Sequence, residues 1–248
     1  MIKVLNRLLP VSLAVAAVAF PTAQADVIGG SVEASYWAAN YSGKFVSGNS
    51  TIDVEDDLGF DDGGFVELSA SFEHPIPVLP NLRVRHIDLD ETENGSLTTT
   101  FDGQTFSGDV TTNLDLTHTD LVLYYEILDN YVSVDAGLDI KVFDGQLDIQ
   151  QDGSSNRSTT KIDDVVPMLY VGASVELPLT GLSAGADVSA INYSDSSLTD
   201  AKIRIRQGFG PAFLELGYRQ MSIDIEDISD VDVDSELSGA YLSTGLDF

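Results

Sequence analysis

The chain has 248 residues, no cysteine and a formal charge of −28, from 12 Lys and Arg against 40 Asp and Glu. That balance excludes nucleic-acid binding through the phosphates, which needs clustered basic side chains. The lack of cysteine excludes a disulfide framework, so a fold in an oxidising compartment has to be stabilised by other means.

Residues 1–25 read as a secretory signal. Lys3 and Arg7 give a positive start, Leu8 to Phe20 is apolar apart from Pro10 and Ser12, and Pro21 ends the run before the small-x-small site Ala23-Gln24-Ala25. The apolar run falls short of the about 20 residues that span a bilayer as a helix, so a retained anchor is the lesser reading. Residues 26–248 read as one domain, with no linker or break in composition.

Along this domain apolar and polar residues alternate. Ile28, Gly30, Val32, Ala34 and Tyr36 alternate with Ser31, Glu33 and Ser35. Leu68, Ala70 and Phe72 alternate with Glu67, Ser69 and Ser71. Leu82 and Val84 alternate with Arg83 and Arg85, and then His86-Ile87-Asp88 slips phase, which reads as a bulge. Leu121, Leu123, Tyr125 and Ile127 come next. In the longest run Val132, Val134, Ala136, Leu138, Ile140 and Val142 share a face opposite Ser133, Asp135, Gly137, Asp139 and Lys141. Similar segments start at Leu169, Leu182, Lys202 and Leu214, and the last sets Leu242, Thr244, Leu246 and Phe248 against Tyr241, Ser243, Gly245 and Asp247.

Period-two alternation also suits a soluble sandwich. Here the second face lacks large core residues, and the signal segment points to export. The fold expected is all-β: an antiparallel up-and-down transmembrane β-barrel of ten strands, an even number as single-chain barrels require. Eight strands would leave two apolar faces unused, and twelve would add a hairpin from Lys44 to Phe60. Short connections at 75–81, 128–130, 178–181 and 208–211 alternate with long polar loops at 39–63, 92–108, 144–163, 194–200 and 224–236. Short turns belong on the periplasmic side and long loops outside. The residues around Asp26-Val27-Ile28-Gly29-Gly30, Trp37, Leu58-Gly59 and the terminal Phe248 resemble a family of small proteobacterial outer-membrane β-barrel proteins with a Gly-Gly motif at the mature N-terminus. The resemblance implies the cell outer membrane, contact with its lipid and lipopolysaccharide, and Phe248 as a signal to the barrel assembly machinery; it implies no activity.

Removing Lys3 and Arg7 leaves ten basic residues against the 40 acidic ones. Seven of the ten fall on expected lumen-facing positions: Arg83, Arg85, Lys141, Lys202, Arg204, Arg206 and Arg219. So do Glu33, Glu67, Asp120, Glu126, Asp135, Asp139, Glu176, Asp187 and Glu215. Ten strands enclose an interior that side chains can largely fill, so these residues are expected to form an ion-pair network that plugs it. A water-filled narrow channel is the alternative. The long loops are acidic. Asp53, Glu55, Asp56, Asp57, Asp61 and Asp62, with Asp230, Asp232 and Asp234, offer hard oxygen ligands for Ca²⁺ or Mg²⁺, although a solvated charged surface is the plainer reading. No dedicated cofactor is expected. An enzyme is not expected either; the one opening is a rim hydrolase using His118, which has Asp115 and Asp120 nearby as a general base requires.

Overall fold

The computed structural model describes residues 28–76, 78–194, 196–228 and 231–248. The signal segment 1–25 and Asp230 lie outside these residues. The described chain is built from fifteen strands: β1 (Gly29–Ser47), β2 (Ser50–Asp53), β3 (Asp62–Glu73), β4 (Asn81–Asp88), β5 (Asp90–Phe101), β6 (Gln104–Asp115), β7 (His118–Asp129), β8 (Val132–Phe143), β9 (Gly145–Gln151), β10 (Arg157–Ile162), β11 (Val165–Leu177), β12 (Leu182–Tyr193), β13 (Ser196–Phe209), β14 (Ala212–Ile228) and β15 (Val231–Asp247). Among the described residues no helix is long and apolar enough to cross a membrane.

Ten of these strands close an antiparallel barrel, in the order β1-β3-β4-β7-β8-β11-β12-β13-β14-β15 and back to β1. The seam between β1 and β15 runs from Ser31 opposite Asp247 to Val46 opposite Asp232. It ends in a reciprocal pair: Gly30 N–H donates to the Phe248 carbonyl and Phe248 N–H to that of Gly30, both at 2.9 Å. A Cβ on Gly30 would lie 2.8 Å from the Ser71 carbonyl and 3.0 Å from the Phe248 ring, so the Gly-Gly motif and the final aromatic residue meet at one point of the seam. The hairpin that a twelve-strand barrel would have used forms from β1 and β2, but β2 hangs outside the ring.

We call the end carrying Ile28 and Phe248 the near end. The four short turns lie there. At the far end the expected long loops are largely strands. β5, β6, β9 and β10 form a four-stranded sheet in place of the loops at 92–108 and 144–163. β12 and β13 pair as far as Tyr193 and Ser196, and β14 and β15 as far as Ile228 and Val231. The expected bulge at His86–Asp88 is absent: β4 pairs with β3 in unbroken register from Leu82 to Asp88. Ile87 faces inward and is buried, so what changes there is the chemistry of the inner face.

That change runs round the whole barrel. In the near half the outer face is apolar, with Val32, Leu68, Phe72, Leu169, Ile203, Leu216 and Leu246 exposed. Tyr36 and Tyr218 end this belt toward the far end, while Phe72, Tyr125, Tyr131, Phe209 and Phe248 border it at the near end; an apolar band between aromatic girdles is the pattern of a membrane barrel. In the far half the apolar residues turn inward. Trp37, Tyr41, Phe45, Phe65, Leu97, Phe101, Phe106, Leu114, Ile149, Ile223 and Leu237 form one buried core. The acidic stretch after β2 helps fill it, because Val54, Leu58 and Phe60 are buried between its carboxylates. Gly59 has φ +85°, and a Cβ there would collide with the Asn94 carbonyl. The Leu58-Gly59 pair thus places one core residue and one close contact with β5.

Candidate functional site

The interior of the near half is a network of charged side chains. Alternation aims Glu67 of β3, Arg85 of β4, Asp120 of β7, Asp139 and Lys141 of β8, Asp200 and Lys202 of β13, and Arg219 of β14 at the barrel axis. Arg85 Nη2 lies 2.6 Å from Asp120, and its Nε donates to the same carboxylate at 2.8 Å. Lys141 bridges Asp120 at 2.7 Å and Asp200 at 3.1 Å. Arg219 grips Asp200 with two N–H groups, at 2.9 and 2.7 Å, and donates a third to Glu67 at 2.8 Å. Lys202 closes on Glu67 at 2.6 Å. Asp139 accepts from Ser189 at 2.7 Å and lies 3.7 Å from Arg85. Four cations therefore face four carboxylates in a layer with no net formal charge. Paired burial of this kind offsets the cost of removing each ion from water, and taking away one partner leaves the other uncompensated.

A second layer lies toward the near end. Arg204 pairs with Asp187 and lies 3.7 Å from Glu215. Tyr170 donates to Asp187 at 2.8 Å and Tyr241 to Glu215 at 2.8 Å. Arg83 donates to Tyr170 at 3.2 Å, with its guanidinium 5.2 Å from the Tyr124 ring centre. Tyr124 in turn donates to Glu73 at 2.7 Å. Arg206 pairs with Asp247 at 3.0 Å near the opening. Trp37 covers the first layer from above: Arg219 lies 4.7 Å from its ring centre, and its Nε1 donates to the Gly239 carbonyl at 3.2 Å. Trp37 thus marks the boundary between charged and apolar interior.

Of the sixteen lumen residues expected from sequence, twelve lie in these two layers or at the opening, and four stand apart. Glu126 is exposed and accepts from Asn81 at 3.3 Å. Glu176 is exposed, and Glu33 and Asp135 are half-buried, with no ion pair to a basic side chain among the described residues. The network also contains residues not expected from sequence. Asp200 falls in an expected loop, yet it has the same parity as Lys202, Arg204 and Arg206, and one more step of the alternation finds it. Tyr124, Tyr170 and Tyr241 are the neutral donors that satisfy spare carboxylate oxygens.

His118 is not at a rim. It is 1% exposed, with Nδ1 2.8 Å from the Leu116 carbonyl and its ring 5.1 Å from that of Phe143. Its Nε2 lies 4.0 Å from Asp120 and has no hydrogen-bond partner among the described residues. His118, Asp120 and Asp200 are the one trio of ligand-type side chains that converge among the described residues. Arg85, Lys141 and Arg219 already occupy those two carboxylates. The described acidic far-end residues do not converge in this way. Asp53 Oδ1 accepts the N–H groups of Glu55 at 3.0 Å and Asp56 at 2.9 Å, and Asp57 accepts that of Asp53 at 2.8 Å, so two of the carboxylates brace their own turn. Asp61 and Asp62 lead into β3. Asp234 lies 3.4 Å from Lys44 on the outer wall, and Asp232 sits on the same strand.

The sequence matches no protein-family model and no curated protein. The fold is similar to several solved barrels. The outer membrane protease OmpT from Escherichia coli aligns over 88% of this chain and 97% of its own, at TM-score 0.48 and 9% identity. Ail, the attachment invasion locus protein of Yersinia pestis, aligns over 88% and 99%, at TM-score 0.33 and 10% identity. The Pseudomonas putida toluene transporter TodX aligns over 89% and 90%, at TM-score 0.32 and 9% identity. The three differ in what their names say they do.

Proposed function

We propose that this protein is an integral barrel of the bacterial outer membrane, with its near end in the periplasm, a lumen that does not conduct, and its work done on the face outside the cell. The observation that carries this reading is the charge-balanced layer of Arg85, Lys141, Lys202 and Arg219 with Glu67, Asp120, Asp139 and Asp200, which spans the interior from wall to wall. A barrel of this size has little interior to spare once long side chains cross it. The apolar core above Trp37 is a second barrier, because an ion crossing it would give up its hydration. The exposed belt supports the lipid-facing placement, and outer-membrane lipid and lipopolysaccharide are the partners it fits. The strongly acidic far face supports a surface role and works against attraction of anions. Reconstitution of the full chain in planar lipid bilayers tests the closed lumen. The expected result is no steady current above that of the bare membrane; a large, stable conductance would replace this reading with that of a passive channel.

A further inference from the structure

The far-half core is not completely filled. On the side of β11 to β14 it leaves a cavity of about 530 Å³ that is open to the outside, within the size range of small-molecule sites. Its walls are apolar: Phe143, Ile191, Leu198, Ile223 and Ile225 line it, with Leu116 at its base. Val166, Ile191, Ile225 and Val233 pack on the core with one side still uncovered. Among the described residues, the polar groups in the lining are the serines, the Tyr193 hydroxyl, Asp164 and Glu226, with no Lys, Arg or His.

The barrel wall beside this cavity is incomplete. The β11–β12 ladder stops at Leu169 opposite Ala190, although β11 continues to Val165 and β12 to Tyr193. Pro167 sits in the part that β12 leaves unpaired. Glu176 N–H donates to the Tyr131 carbonyl, on the side away from β12, so odd-numbered residues of β11 present their N–H groups to β12. Pro167 has no N–H to give at the first such position beyond Leu169. Val165, which points outward and is exposed, lines the cavity together with inward-facing Val166. The cavity thus reaches through the wall just above the exposed, lipid-facing Leu169.

We propose that this cavity is a binding site for an uncharged molecule with a single apolar body, of the kind that partitions into the outer leaflet. Its walls match an aliphatic or aromatic body, its serines can meet one hydroxyl, and the carboxylates with no opposing cation disfavour an anionic headgroup. This goes beyond the closed-lumen reading and does not depend on it: conductance and occupancy of the cavity are measured separately.

The full chain in lipid nanodiscs is photolabelled with a diazirine-bearing alkanol and, in parallel, with the alkanoate of the same chain length at pH 8. Adducts are mapped by mass spectrometry. The alkanol is expected to label Val166, Ile191, Leu198 and Ile225 in addition to belt residues such as Leu216. Ile191→Trp and Ile225→Trp, each checked for folding by its heat-dependent gel shift, are expected to lose the cavity adducts and keep the belt adducts. Alkanol adducts confined to the belt of the unaltered protein would overturn the site, whether or not either variant folds. Equal cavity labelling by alkanol and alkanoate would overturn the assignment to an uncharged ligand.

Discussion

The two halves of the barrel are built from the same strands with their chemistry reversed. On β14 the near half turns Leu214, Leu216 and Tyr218 outward and Glu215 and Arg219 inward. A few residues on, Met221, Ile223 and Ile225 face inward and Gln220, Asp224 and Glu226 outward. β15 repeats this, with Leu242 and Leu246 outside below and Asp234 and Glu236 outside above, beside buried Leu237. Backbone geometry is continuous through the reversal. On the placement proposed above, what changes is the solvent: the near half faces hydrocarbon and hides its charges inside, while the far half faces water and hides its apolar groups. One strand therefore obeys two opposite rules along its length, and Trp37 and Arg219 lie where they meet.

The largest expected effect breaks the lower half of this comparison. Asp200→Ala strips Lys141 and Arg219 of a shared counter-ion and should cost about 3–5 kcal/mol, read as a lower urea midpoint for the barrel in lipid. A midpoint close to that of the unaltered protein would mean that water, not side chains, balances those cations. Next comes Leu97→Ala in the far core, at about 3 kcal/mol. Its loss should be local: new protease cleavage within 90–115, with the gel shift of the membrane half retained. Global unfolding instead would make the two halves one cooperative unit. A matched pair then tests the reversal itself. Leu216→Lys, on the lipid face, should destabilise by about 2 kcal/mol, whereas Asp224→Lys, eight residues along the same face, should stay within about 0.5 kcal/mol. The smallest effect is at the β9–β10 hairpin. Two hydrogen bonds from Arg157 hold the Asp148 carboxyl below the usual carboxylate range. A lowered pKa adds stability above the unfolded value of about 3.9 and loses it as pH falls further. Hydrogen exchange in 145–162 should therefore quicken only below about pH 4, and Asp148→Asn should remove that step.

The ring of ten strands was legible because the outer face of the near half is predominantly apolar, with Val32, Leu68, Leu169, Ile203 and Leu216 at every second position of their strands. Most of the charged interior was legible too, since Arg83, Arg85, Lys202 and Arg204 keep strict parity. What was lost lay beyond the reversal. Asp224 to Glu236 reads as an acidic loop because an outward carboxylate every second residue looks like a polar run unless the inward residues are scored separately. The same reversal makes Ile87 look like a bulge. Which carboxylate meets which cation depends on the stagger between strands far apart in sequence, as with Lys202 and Glu67, and no local pattern carries it. The incomplete wall at Pro167 had a visible signal in the proline, but its meaning depends on which neighbour that N–H would have faced.

The seam between β1 and β15 sets an order in time. Every other pair in the ring joins strands that are near in sequence, whereas Ser31 must wait for Asp247 and Gly30 for Phe248. Until the final strand arrives, β1 carries an unpaired edge, the kind of surface on which stray strands template. Closing so long a loop adds little to the equilibrium cost, since that cost grows only with the logarithm of length. It weighs on the rate, because the contact that completes the wall spans nearly the whole domain. The first strand made is therefore the one left exposed longest, and shielding it during assembly matters more than shielding any other.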